Sequence, residues 1–201
     1  MKKILLLIIG ILMCTRSAVA NPEAATAFVS TLANEIIVDV LATQKPMTEK
    51  LDLFRTKFQE AIDLKFVGQF VAGTYWRRAT QPEREAFLTA FMDFATKSWA
   101  DKFNLYNGQK ITFTGTRSAQ KGQLYIDSVI EDNPPAQVIW RVREKDGTYK
   151  IVDIIVEGVS MALSYRNEYN SFLQKHNGNL TILTQELERK SKTFTFSDKK
   201  K

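Results

Sequence analysis

Between Gln109 and Glu157 the chain alternates apolar and polar residues with period two, and this stretch constrains the fold more than any other. Leu124, Ile126, Ser128 and Ile130 recur at every second position. So do Val138, Trp140 and Val142, and then Tyr149, Ile151, Asp153 and Ile155. Residues two apart on a strand share a face, so each run reads as a strand with one largely apolar side. Ile111 and Phe113 open a further strand. The breaks fall at Lys121-Gly122, Asp132-Asn133-Pro134-Pro135 and Asp146-Gly147. Asp-Gly supplies two residues that tolerate positive φ, which a two-residue hairpin loop requires. The spacing predicts a four-stranded antiparallel meander. With Asp146-Gly147 as the loop, Val142 pairs with Ile151, Trp140 with Asp153 and Val138 with Ile155. One face is then largely apolar, and the other carries Arg141, Arg143 and Lys150.

On either side of the meander the period is helical. Phe28, Leu32, Ile36 and Val40 recur every four residues, and Leu51, Phe54, Phe58 and Ile62 follow the break at Pro46. A short apolar piece holds Phe66, Val67, Phe70 and Val71. Thr80-Gln81-Pro82-Glu83 has the capping-box layout, a threonine followed three residues later by a glutamate. The helix it opens carries two neighbouring apolar stripes, Phe87, Phe91, Phe94 and Leu88, Met92, Ala95, Trp99, Phe103. A surface helix needs an apolar face of roughly 100°, so this wider sector is expected to touch more than one surface. After the meander, Ala162, Tyr165, Tyr169, Phe172 and Leu173 form a stripe, Gly178 breaks it, and Leu180, Leu183 and Leu187 make a last helix. An N-terminal helical block, a meander and C-terminal helices predict an α+β fold with helices packed on one sheet face.

The first twenty residues have the layout of a cleaved secretory signal. Lys2 and Lys3 precede an apolar run from Ile4 to Met13, which is too short to span a bilayer, and Ala18-Val19-Ala20 offers the cleavage site. Cys14 sits where a lipoprotein leader would place its acylated cysteine, but Met13 stands where that peptidase needs a small residue. Export to the periplasm is therefore expected, with residues 21–190 as a single domain and residues 191–201 as a flexible basic tail. No second segment is expected to cross a membrane. Cys14 is the only cysteine, so the exported chain has none for catalysis, metal binding or disulfides. Loss of Lys2, Lys3 and Arg16 leaves 25 basic against 22 acidic residues, an excess that Lys199, Lys200 and Lys201 match by themselves. The basic balance is thus read as a solvated tail, and no nucleic-acid partner is expected.

Two segments carry a family resemblance. From Phe70 to Phe103 the chain reads FVAGTYWRRATQPEREAFLTAFMDFATKSWADKF, and from Val138 it reads VIWRVREKDGTYKIVDIIVEGVSMALSYRNEY. A YWRxAT-type helix start combined with Glu157-Gly158-Val159-Ser160 running into a helix resembles the MlaC family, known also through toluene tolerance. Tyr149 stands where that family often has Trp, and Ser98-Trp99 replaces a Thr-Tyr-like pair. The resemblance implies a nuclear-transport-factor-2-like cone with an internal apolar cavity. It implies a phospholipid cargo and no cofactor. It also implies shuttling between an outer-membrane lipoprotein–porin complex and an inner-membrane MCE-domain ABC transporter complex, in maintenance of outer-membrane lipid asymmetry; a shuttle works naturally as a monomer.

Such a carrier must keep acyl tails from water. At ~0.8 kcal/mol per methylene, about 30 methylenes amount to roughly 24 kcal/mol. The helix from Phe87 to Phe103 and the apolar sheet face have surplus apolar surface for this, and the chain contains 13 phenylalanines. The tail-pocket set expected from the helical blocks is Tyr75, Trp76, Phe87, Phe91 and Trp99, with Val159, Met161 and Tyr165 after the meander. The sheet adds Ile126, Val138, Trp140, Val142, Ile151 and Ile155. Arg77, Arg78 and Arg166 are expected to meet a phosphate head group or an acidic partner. The competing readings are an esterase and an adaptor with a filled core. Gly158-Val159-Ser160-Met161-Ala162 is a near miss of the G-x-S-x-G nucleophile elbow. Its last residue is Ala, the sheet reads as antiparallel, and the only histidine, His176, has no Asp between it and Ser160. Ser160 is therefore read as a helix cap, His176 as a surface residue, and the chain as a non-enzyme without a metal site.

Overall fold

The computed structural model describes residues 21–196. The expected signal segment lies outside them, as do the last five residues. The sheet is a sequential antiparallel meander of β1 (Ile111–Ser118), β2 (Gln123–Ile130), β3 (Ala136–Lys145), β4 (Thr148–Val156) and β5 (Val159–Ser160). Asp146 and Gly147 close the β3–β4 hairpin with φ of 50° and 75°, as their residue types require. Glu157 and Gly158 repeat that turn at 49° and 77° and fold the two-residue β5 back onto β4. The meander thus has one strand more than the period-two pattern predicts, because two residues are too few to display a period.

The register of β3 and β4 differs from expectation beyond Val142. Val142 does pair with Ile151, but Arg141 pairs with Asp153, so Val152 is an extra residue. This bulge places Ile154 opposite Trp140 and Val156 opposite Val138, where the sequence reading put Asp153 and Ile155. Ile155 consequently turns to the other face. Ile151, Val152, Asp153 and Ile154 are all buried in succession.

The helices are α1 (Pro22–Ile36, extended by a π-helical turn at Ile37–Leu41), α2 (Met47–Ala61), α3 (Leu64–Ala72), α4 (Gln81–Ala100), α5 (Met161–Lys175) and α6 (Leu180–Lys192). They bury two apolar clusters. The first packs Val29, Leu32, Phe54 and Phe58 of α1 and α2 against Leu124, Ile126, Val142 and Ile151 of the sheet. The second joins Val71, Phe87, Phe91, Tyr169, Leu173 and Leu183 from α3 to α6. Helix α4 serves both, with Met92 in the first and Phe87, Phe91 and Ala95 in the second, which accounts for its wide apolar sector. Its capping box forms, with Glu83 N–H donating to Thr80 Oγ1 and the Glu83 carboxylate accepting from Thr80 N at 2.7 Å.

Three expectations need correction. Residues Pro22–Leu41 are long and apolar enough to cross a membrane, although no such second segment was expected; here they bury Ala25, Val29, Leu32 and Ala33 in the fold. Helix α6 runs to Lys192 and buries Ser191, so it passes the expected tail boundary. The helices are also not confined to one face. Asp63, at the start of α3, reaches the polar face and pairs with Arg143 at 3.0 Å, and the Arg143 guanidinium lies 4.6 Å from the Phe66 ring.

Candidate functional site: an apolar seam between two clusters

The two clusters meet along a seam. Phe58 of α2, Val67 of α3, and Phe91, Met92, Ala95 and Trp99 of α4 line one side. Residues Ile151 to Ile154 of β4 and Met161, Ala162 and Tyr165 of α5 line the other. The space between them is about 30 Å3, close to the share of liquid volume of one water molecule. Asp153 is the only ionisable carboxylate in this lining, and its oxygens are occupied. Ser160 Oγ donates to Oδ2 at 2.5 Å and Ala162 N donates to Oδ1 at 3.0 Å. Ser160 Oγ in turn accepts from Leu163 N at 3.0 Å, so the serine caps α5.

Burial pushes the Tyr165 phenol up to about 12, against an opposing hydrogen bond from Trp99. Burial likewise pushes the Tyr169 phenol well above its ordinary range. Both phenols therefore stay neutral at physiological pH, and of the two Tyr165 lines the seam.

Of the expected tail-pocket residues, Phe91, Trp99, Ile151, Met161 and Tyr165 come together at the seam. Ile126, Val138 and Val142 are buried in the sheet-side cluster. Trp140 packs against that cluster, and its indole N–H donates to Ser128 Oγ at 3.0 Å. Trp76 and Phe87 are buried in the helical cluster, with Tyr75 packed against it. Two residues depart from the expected face. Ile155 is turned away by the bulge at Val152, and Val159 is 53% exposed because β5 is an edge hairpin. Arg77 and Arg166 meet at a cavity of about 420 Å3 beside Trp76, without Arg78. Arg166 is held there by a hydrogen bond to Phe70 O and by the Phe70 ring, 4.9 Å away. This cavity shares no lining residue with the seam.

The seam also uses residues that were left out of the expected set, among them Phe58, Met92, Ala95, Val152 and Ala162. Met92 and Ala95 belong to the second α4 stripe, which was a usable signal. Ala162 belongs to the stripe that opens α5, and Val152 carries no such signal.

His176 does not approach Ser160. The two flank opposite ends of α5, about 24 Å apart at 1.5 Å per residue, and the imidazole stacks on Phe172 at 4.2 Å.

These features define an α+β protein in which a helix-covered antiparallel meander and a helical cluster meet at an apolar seam. The chain belongs to the MlaC family, whose sequence profile, described as MlaC protein, matches residues 30–189. It is 23% identical over 205 residues to the intermembrane phospholipid transport system binding protein MlaC of Haemophilus influenzae, covering 96% of this chain and 94% of that one. Its fold is similar to that of the phospholipid-binding protein of Ralstonia solanacearum, solved in complex with a phospholipid. The TM-score is 0.75 at 20% identity, over 84% of this chain and 97% of the other.

Proposed function

We propose that this protein carries a phospholipid through the periplasm with its acyl tails held in the seam. In this reading it exchanges the lipid between an inner-membrane MCE-domain ABC transporter complex and an outer-membrane lipoprotein–porin complex, and so maintains outer-membrane lipid asymmetry. It acts by carriage without catalysis, needs no cofactor, and works as a monomer. Membership of the MlaC family and the name of the Haemophilus relative support this reading.

The observation that carries it is the seam itself, which runs between two apolar clusters that each have their own buried residues. Ligand pockets measure roughly 300–1,000 Å3, so the seam must widen at least about tenfold to admit tails. Helix α4 contributes to both clusters and Ile62 and Leu64 pack against both, so the widening shifts these shared elements while each cluster keeps its other buried residues. The Ser160 hydroxyl, held between Asp153 and the start of α5, has a structural task and is assigned no reaction.

The test is native mass spectrometry, with organic extraction, of protein exported by a bacterial host. One phospholipid per chain is expected. Repeated lipid-free preparations that also take up nothing from liposomes would contradict the carrier reading.

A further inference from the structure

A second cavity, of about 480 Å3, opens on the polar face of the sheet. Arg141 and Arg143 of β3, Gln123 of β2 and Lys121 of the preceding turn line it. Val152 and Ala162 line both this cavity and the seam. The two compartments therefore share a wall at one bulged residue and one small helix residue.

The charge of this cavity is one-sided. Lys121, Arg141 and Arg143 face a single lining carboxylate, Glu144. Arg143 is engaged by Asp63, but Arg141 is not so matched. Its Nε donates to Gln123 Oε1 at 2.5 Å, and Gln123 is 4% exposed. Asp153 is the ladder partner of Arg141, but its oxygens accept from Ser160 Oγ and Ala162 N and form no ion pair with the guanidinium. Among the described residues Arg141 forms no ion pair and its Nη groups have no hydrogen-bond partner; beyond Gln123, its guanidinium meets only the Tyr125 ring, 5.9 Å away. The Arg141 Nη groups stay open to the cavity, so an anion entering it can reach them. The planar guanidinium fork matches two oxygens of a phosphate.

We propose that this cavity is a phosphate site for the cargo lipid. Arg141 grips the phosphate through its Nη groups, Gln123 steadies Arg141, and Lys121 stands at the rim. The tails pass between Val152 and Ala162 into the seam. This assignment rests on the carrier reading. It places the head group beside the buried tails, which the separate cavity at Arg77 and Arg166 does not.

The test uses the full exported chain, stripped of lipid, and three probes: a phospholipid, a diacylglycerol with the same tails, and glycerol 3-phosphate. Wild type is expected to bind the phospholipid about ten- to hundredfold more tightly than the diacylglycerol, as charged hydrogen bonds imply. Arg141→Gln removes most of that ratio and leaves diacylglycerol affinity unchanged. Arg141→Lys, which disturbs folding least, gives an intermediate ratio, and Arg77→Gln leaves it intact. If Arg141→Gln binds lipid with the ratio retained, the phosphate site is overturned while the carrier reading stands. If wild type binds neither lipid, the carrier reading fails and glycerol 3-phosphate decides. Binding that depends on Arg141 then identifies a site for free phosphate, and its absence overturns the site as well.

Discussion

Asp63 ties α3 to the sheet, and removing its carboxylate should be strongly destabilising. Its side chain is 2% exposed; Oδ1 accepts from Phe66 N at 3.2 Å and Lys145 Nζ at 3.3 Å, and Oδ2 pairs ionically with Arg143 Nη2 at 3.0 Å. Its own N–H donates to Ile151 O at 2.9 Å, next to the bulge. Breaking a buried pair by deleting one partner costs about 3–5 kcal/mol. The side chains of Arg143 and Lys145 are 30% and 38% exposed, so the freed cations reach water. This places Asp63→Ala near the lower end, at about 3 kcal/mol, a large share of a typical domain's 5–15 kcal/mol. Asp63→Asn keeps the acceptor that caps α3, a contact of about 1 kcal/mol, and should be milder than Asp63→Ala by that amount. Urea denaturation followed by circular dichroism measures both. A loss below about 1 kcal/mol for Asp63→Ala, with an unchanged denaturant slope, would refute the reasoning.

Two further outcomes follow from the seam's polar groups. The Tyr165 phenol is raised from 10 to about 12, so its contribution is complete below pH 10 and is lost as pH rises through 12; wild type should lose about 2–3 kcal/mol more than Tyr165→Phe over that interval, read from urea midpoints. Ser160→Ala should cost about 1 kcal/mol as a lost cap, and Asp153→Ala more, because it orphans both Ser160 Oγ and Ala162 N; a double-mutant cycle should show the two to be non-additive.

Much of the architecture was legible because local chemistry and period agreed. Asp146-Gly147 announces its hairpin, Thr80 and Glu83 announce a helix start, and the two stripes of α4 announce two surfaces. Glu157-Gly158 makes the same turn but hides it, since glutamate is not a usual residue at positive φ. The bulge at Val152 is invisible to a period-two reading, because Ile151, Val152 and Ile154 are all apolar and fit more than one register. That single insertion moved Ile155 off the expected face. At the seam, large residues such as Phe91, Trp99 and Tyr165 were legible as a set. Ala95 and Ala162 were legible only as members of their helix stripes, since a small side chain does not distinguish a filled core from a wall. The arginines were legible as charges but not as neighbours. Which of them stands beside the seam depends on how α3 and α5 close over β3 and β4.

The central claim, that acyl tails occupy the seam, can be read from tryptophan fluorescence. Trp99 lines the seam, Trp76 is buried in the helical cluster, and Trp140 packs against the sheet-side cluster. Variants that keep one tryptophan, with the others changed to phenylalanine, would be loaded with a phospholipid brominated in mid-chain. The account predicts that Trp99 is quenched more strongly than Trp76 or Trp140. Loaded protein in which Trp99 is unquenched, or is quenched less than either of the others, would contradict it.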